Sequence, residues 1–221
     1  MQQLKIGIIG DFNFTFNTHH ATNLALEHAS DFLELDTSYY WIRTNEVSNM
    51  KPQQFGNYDG LWLAPGPFNN PFYLKGIVDL LLQLNIPVFI TGEGYKVLIE
   101  ILAIRNNLNV SGEKFISENL VEGNHFEHVE VVPHSNALIH LYENRSKEEL
   151  TSTRYSLYPN LMDSLQQTDI DIEAYNQFEE PEIVSVKNKS FFVACGFCPQ
   201  ITSTRELPHP LVYTFMKATA I

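Results

Sequence analysis

The chain has 221 residues, of which 14 are basic and 26 acidic, for a formal charge of −12. With 44% apolar and 12% aromatic residues it can bury a sizeable core, which excludes intrinsic disorder. The acidic balance and the lack of a Lys/Arg cluster remove the footprint of a phosphate-backbone or anionic-membrane binder, so no nucleic acid and no membrane is expected among its partners.

Leu4 to Gly10 is a nearly continuous apolar run ending in Gly-Asp, the pattern of a strand buried on both faces of a parallel sheet. A helix is predicted next, capped by Asn17 or Thr18, with Ala21, Leu24, Ala25, His28 and Ala29 on its apolar face. Phe32 to Ile42 reads as a second strand and Tyr58 to Ala64 as a third, stopped by Pro65-Gly66-Pro67. Leu74 to Leu84 is an apolar helix, Ile86 to Ile90 a short strand leading into Thr91-Gly92-Glu93-Gly94, and Tyr95 to Arg105 a buried helix.

Beyond residue 110 the texture changes to short alternating runs, Glu127 to Val132 and Thr153 to Leu157, which predict exposed antiparallel strands. Ile183 to Val186 and Ser190 to Cys195 flank Lys187-Asn188-Lys189 as a hairpin, and Pro208 and Pro210 introduce a closing helix. The fold class is α/β: a doubly wound, mostly parallel sheet flanked by helices, with an antiparallel strand extension. A single domain over 1–221 is the economical reading.

The start of the chain runs straight from Met1 into Ile6-Gly7-Ile8-Ile9 without the apolar core and cleavage site of a leader, and no apolar run approaches a membrane span. Two cysteines cannot build a disulfide framework. Together these predict a cytoplasmic protein, and no pattern asks for a cofactor.

Four blocks resemble, in this order, the glutaminase region of CTP synthase, a class I glutamine amidotransferase. They are Lys5 to Asp11, Tyr58 to Phe68, Ile86 to Glu100, and Phe191 to Ala218. The last is the most specific, since Phe191 to Gln200 (F-F-V-A-C-G-F-C-P-Q) followed by Pro208-His209-Pro210-Leu211 resembles F-F-x-x-x-Q-F-H-P-E and P-H-P-L. Thr153-Arg154-Tyr155 is similar to the H-R-Y of that family's glutamine pocket. Gly10-Asp11-Phe12-Asn13 together with F-x-P-Q resembles the stand-alone proteins related to the C-terminal region of CTP synthase.

The resemblance implies a flavodoxin-like fold and a site at the strand-to-helix elbow. It also implies that the catalytic positions are degenerate. The cysteine nucleophile falls on Gly92, the histidine base on Cys198, and the glutamate that orients it on Gln200. A glycine has nothing to attack with, a thiol is a poor proton shuttle, and Gln200 lacks the charge that steadies an imidazolium. In the oxyanion loop Pro67 stands where an N–H would donate. Cysteine-dependent glutamine hydrolysis is therefore not expected. The implied ligand is a small carboxylate or an amino acid, held among Gly66, Gly92, Glu93, Gly94, Arg154, Tyr155 and His19.

The residues themselves leave alternatives open. Glu93 is a general base or cation binder at the elbow, or a solvated carboxylate favoured by a helix N-terminus. Cys195 and Cys198 have C-x-x-C spacing, against which stands one buried strand thiol and one pocket-lining thiol. His19 and His20 either line the pocket with Asp11 or decorate an exposed first turn. Arg154 and Tyr155 grip a carboxylate, or Arg154 makes a surface ion pair. Glu122, His125, His128, Glu130 and His134 match no metal motif and read as solvated strand residues, so no metal is assigned. Two functions besides ligand binding follow: an enzyme of different chemistry using Glu93 with Cys198 or a His, and an interaction module, a homodimer anchored by Tyr39, Tyr40 and Trp41.

Overall fold

A computed structural model describes residues 3–108, 116–119, 126–152 and 154–221, except for the side chains of 118, 119, 154, 159, 160 and 163. In chain order the elements are β1 (Leu4–Ile9), α1 (Asn17–Phe32), β2 (Thr37–Ile42), α2 (Thr44–Val47), β3 (Gly60–Leu63), α3 (Leu74–Leu81), β4 (Val88–Thr91) and α4 (Glu93–Arg105). There follow β5 (Ile116–Asn119), β6 (Glu127–Pro133), α5 (Asn136–Tyr142), β7 (Glu148–Thr151), β8 (Arg154–Leu157) and α6 (Pro159–Leu165). The chain closes with β9 (Ile170–Asn176), β10 (Pro181–Val186), β11 (Phe192–Cys195) and α7 (Pro210–Thr219).

Nine strands form one sheet in the order β2-β1-β3-β4-β11-β10-β9-β6-β7, while β5 and β8 make a separate antiparallel pair. The strands from β2 to β11 run parallel, and the pairings from β11 outward to β7 are antiparallel. The alternation of strand side chains divides the core into two layers. Ile6, Ile8, Trp62 and Phe89 pack toward α1 and α7 with Ala25, Leu26, Leu211 and Phe215. Leu61, Leu63, Val88 and Ile90 pack toward α3 and α4 with Leu74, Val78, Leu98 and Leu102. Helices on both faces are why these strands are apolar throughout rather than alternating with polar residues.

Three local expectations need correction. Residues 32–36 are not strand: α1 runs through Phe32, and β2 starts at Thr37 after a turn in which Glu34 takes φ +54°. The buried stripe of α1 is Thr18, His19, Thr22, Ala25, Leu26, Ala29 and Ser30, so the helix is rotated from the expected face and Leu24 is exposed. Neither Asn17 nor Thr18 caps it; the residue before the helix is Phe16, whose carbonyl accepts from His19 N–H. Thr153, Glu122 and His125 lie outside the described residues. Among the described residues no helix is long and apolar enough to cross a membrane.

Candidate functional site

Parallel strands place their C-terminal ends, and the loops that leave them, along one edge of the sheet. Four loops meet there: 10–16 after β1, 64–73 after β3, the turn from β4 into α4, and 196–209 after β11. The β4–α4 turn is a sharp elbow. Gly92 holds φ +59° and ψ −124°, a conformation comfortable only for glycine. Its N–H donates to the Cys195 carbonyl (3.0 Å), tying the elbow to β11.

Pro65 fills the space in front of the elbow. A Cβ at Gly92 would lie 2.8 Å from the Pro65 carbonyl oxygen and 2.9 Å from the Pro65 Cβ. That carbonyl also accepts the Glu93 N–H (3.2 Å), the first amide after the elbow and the one aimed at a developing oxyanion in acyl-transfer sites of this geometry. Gly94 seats α4 on the sheet, since a Cβ there would lie 2.7 Å from Leu63 Cδ2 and 2.8 Å from Ile90 Cγ2.

Glu93 opens α4, with its side chain turned to the Pro65–Phe68 loop. A Cβ at Gly66, itself at φ +92°, would come within 2.9 Å of Glu93 Oε2. Burial raises the Glu93 carboxyl above the usual range, and the Lys96 charge partly offsets it. Glu93 is thus a half-buried acid in the first turn, not a fully solvated one.

His19 and Asp11 fasten this edge. His19 is buried, and its Nδ1 accepts the Asn13 N–H (2.9 Å), which leaves the proton on Nε2 to donate to the Gly66 carbonyl (3.2 Å). Both ring nitrogens are therefore committed in the neutral form, and burial pulls the imidazole below its ordinary pKa. Asp11 accepts from Thr44 N–H (3.2 Å), the Thr44 hydroxyl (3.0 Å) and Asn69 N–H (3.0 Å), joining the loops that leave β1, β2 and β3. His20 is exposed, with its Nε2 on the Phe14 carbonyl (2.9 Å) and its ring edge-on to Phe12.

Tyr155 belongs to the same neighbourhood, because Lys96 Nζ sits over its ring at 5.2 Å, one turn along α4 from the elbow. The Arg154 backbone pairs with Asn119 in the β5–β8 ribbon. Beneath Tyr155, a cavity of about 20 Å³ is lined by Tyr95, Thr151, Asn176, Glu182 and Gly196, room for one water.

Of the two thiols, Cys195 is the buried strand cysteine expected on β11, and Cys198 departs from expectation. Cys198 does not line a pocket: it is fully buried, with Sγ 3.6 Å from Ser152 Oγ and N–H donated to the Leu150 carbonyl (2.8 Å). Burial raises both the Cys198 and the Cys195 thiols, so neither is poised as a thiolate. Gln200 is buried too, and neither end of its amide has a partner among the described residues. Gly66, Gly92, Glu93, Gly94, His19 and Tyr155 are brought together around the elbow, whereas Cys198 and Gln200 are enclosed behind it.

One polar centre has no counterpart in the sequence reading. Glu149, on the inward side of β7, accepts from His209 Nε2 (2.8 Å), the Tyr142 hydroxyl (3.0 Å) and the Thr202 hydroxyl (3.2 Å). His209 Nδ1 in turn accepts the Leu211 N–H at the start of α7 (3.2 Å). The available signal was the P-H-P-L block and the alternation of β7, which turns Glu149 and Thr151 inward. Elsewhere His128 and Glu130 are exposed on β6, and among the described residues no three His, Cys, Asp or Glu side chains converge on a metal position.

No family model matches the chain. It is 25% identical, over a 252-position alignment, to the CTP synthase of Buchnera aphidicola subsp. Acyrthosiphon pisum (strain Tuc7), covering 97% of this chain and 45% of that protein. With the CTP synthase of Bacillus thuringiensis (strain Al Hakam) identity is 22%, covering 99% and 45%. The chain thus spans about half the length of the curated relatives it matches. Among solved structures, the glutaminase domain of Trypanosoma brucei CTPS with bound acivicin superposes with a TM-score of 0.79 at 19% identity, covering 98% of this chain and 94% of that one. A glutamine amidotransferase from Thermotoga maritima gives 0.57 at 10% identity, covering 100% and 97%. The chain therefore has the class I glutamine amidotransferase fold and is similar, over nearly its whole length, to the glutaminase part of CTP synthase.

Proposed function

We propose that this chain is a glutaminase-like protein without cysteine-dependent glutamine hydrolysis, which acts in the cytoplasm by binding a small carboxylate or amino acid, or a partner protein, at the elbow edge of its sheet. The observation that carries this reading is the elbow itself. Gly92 offers no nucleophile, its Cβ space is taken by Pro65, and the Glu93 N–H is spent on the Pro65 carbonyl. An oxyanion would have to displace that carbonyl before it could be stabilised there.

Two further features support it. The histidine and glutamate positions of the family triad carry a buried thiol and a buried amide, neither within reach of solvent. The loop fastenings through Asp11 and His19 are intact, so the edge is held in a fixed shape, as a binding site requires. A ligand carboxylate would meet the β8 ribbon at Arg154 and Tyr155, and an ammonium group would meet Glu93. Purified chain incubated with L-glutamine should release no ammonia above a buffer control, while a thermal-shift screen of amino acids and small carboxylates should give a saturable rise in Tm. Ammonia release abolished by Cys198→Ala would overturn the reading.

A second reading rests on the Glu93 carboxyl, which burial holds above its usual range at the mouth of the elbow. Such an acid is tuned toward general acid–base work. Activity on any substrate of this site would then carry an acidic limb that disappears in Glu93→Gln.

A further inference from the structure

The two edges of the nine-stranded sheet are treated differently. The outer edge of β7 is short, carries the exposed Glu148, and is capped by the Cys198 N–H on the Leu150 carbonyl. These are ordinary protections against unwanted strand pairing. At the opposite end β2 is six residues long, Thr-Ser-Tyr-Tyr-Trp-Ile, with no charge and no proline.

The carbonyls of Asp36 and Ile42 accept from Leu4 and Gly10 N–H, so the even-numbered residues point their backbone groups at β1. By the alternation of a strand, Thr37, Tyr39 and Trp41 point theirs outward, and β2 has no second strand neighbour among the described residues. The side chains do not substitute for such a neighbour. The Tyr39 hydroxyl donates to Glu27 (2.5 Å) and the Trp41 indole N–H to Asn23 (2.8 Å), both on α1, which leaves only Tyr40 of the three aromatics exposed. The aromatic anchors expected from the sequence are therefore turned to their own helix. What this edge offers is backbone.

We infer that β2 pairs antiparallel with β2 of a second copy of this chain, across a two-fold axis at Tyr39, extending the sheet through both subunits. Thr37 then faces Trp41 of the other copy and Tyr39 faces its own equivalent, and the three outward residues exchange about six hydrogen bonds. Charge selects this direction. The exposed Glu34 and Asp36 precede the strand and the exposed Arg43 follows it. Antiparallel pairing brings each Arg43 beside the acidic turn of the other copy, whereas parallel pairing aligns like charges. A six-residue edge buries well under the roughly 1,600 Å² of a standard stable interface, so the dimer is weak and reversible.

Sedimentation velocity of the whole chain, from low to hundreds of micromolar, tests this. The expected result is a monomer–dimer equilibrium, with slower amide exchange at Tyr39 and Trp41 as concentration rises. Tyr39→Pro removes an outward N–H without touching the β1 ladder and should leave a folded monomer, its far-UV spectrum unchanged. Arg43→Glu, on the surface, should raise Kd at least tenfold, and Arg43→Glu with Glu34→Arg should recover most of that loss. Monomer at every concentration overturns the inference, as does a dimer unaffected by both Tyr39→Pro and Arg43→Glu.

Discussion

At the Glu149 node a carboxylate enclosed by protein meets His209, Tyr142 and Thr202, and the histidine's other nitrogen holds the first turn of α7. At the Gly92 elbow, at the end of β4 in the same sheet, a half-buried carboxylate with a raised pKa faces a glycine loop, and the local donor is turned to Pro65. The first arrangement compensates its buried polar groups and joins β7, the loop after β11, and α7. The second leaves an acid undercompensated at the edge where loops gather. Compensation is the mark of a structural fastening, and the undercompensated acid is the feature on which the proposed binding site at the elbow rests.

The comparison can be broken at each end. The largest effect belongs to the node: Glu149→Ala removes the acceptor shared by His209, Tyr142 and Thr202 in the core, three hydrogen bonds at once, and should cost about 3–5 kcal/mol in denaturant unfolding. A loss below about 1 kcal/mol would show that the node does not hold β7 to α7. Next comes the elbow. Gly92→Cys forces a side chain into a glycine-only conformation and against Pro65, and should cost about 1–3 kcal/mol.

The smallest effect is at Glu93, and its sign is the informative part. Burial makes the folded chain hold the Glu93 proton more tightly than the unfolded chain does, so ionised Glu93 costs stability above the ordinary carboxyl pKa of about 4.3. Stability contributed by the protonated form is complete below that pH and is lost as pH rises through the raised value. Glu93→Gln should therefore increase Tm at pH 7, by less than about 4 °C, with the difference fading near pH 4. A lower Tm at pH 7 would mean that the carboxylate is compensated after all.

The parallel half of the sheet was legible in the sequence because its strands are buried on both faces and read as nearly continuous apolar runs, as in Ile6 to Ile9 and Val88 to Ile90. Reading the aromatic and apolar residues of 32–36 as strand failed because α1 continues through Phe32 before the turn at Glu34. Strand β9 was legible too, since Ile170-Asp171-Ile172-Glu173-Ala174 alternates apolar and acidic residues with the period of a half-buried strand, and the reading of the chain passes over it. At the site, the glycines marked the elbow correctly. What no spacing displays is that Pro65 folds its carbonyl into that elbow, or that Cys198 and Gln200 sit behind the surface rather than on it. Glu149 was invisible for the same reason: in Lys-Glu-Glu-Leu it reads as solvated, and its partner His209 is 60 residues away.

Ammonia release by Gly92→Cys tests the central claim most directly, since this variant restores a thiol to the nucleophile position at the cost of displacing Pro65. With Pro65 crowding the elbow and Cys198 standing where the family's base histidine would, the folded variant should stay at the buffer background with L-glutamine. Glutamine-dependent ammonia release by Gly92→Cys, saturable and lost on alkylation of the new thiol, would contradict the account.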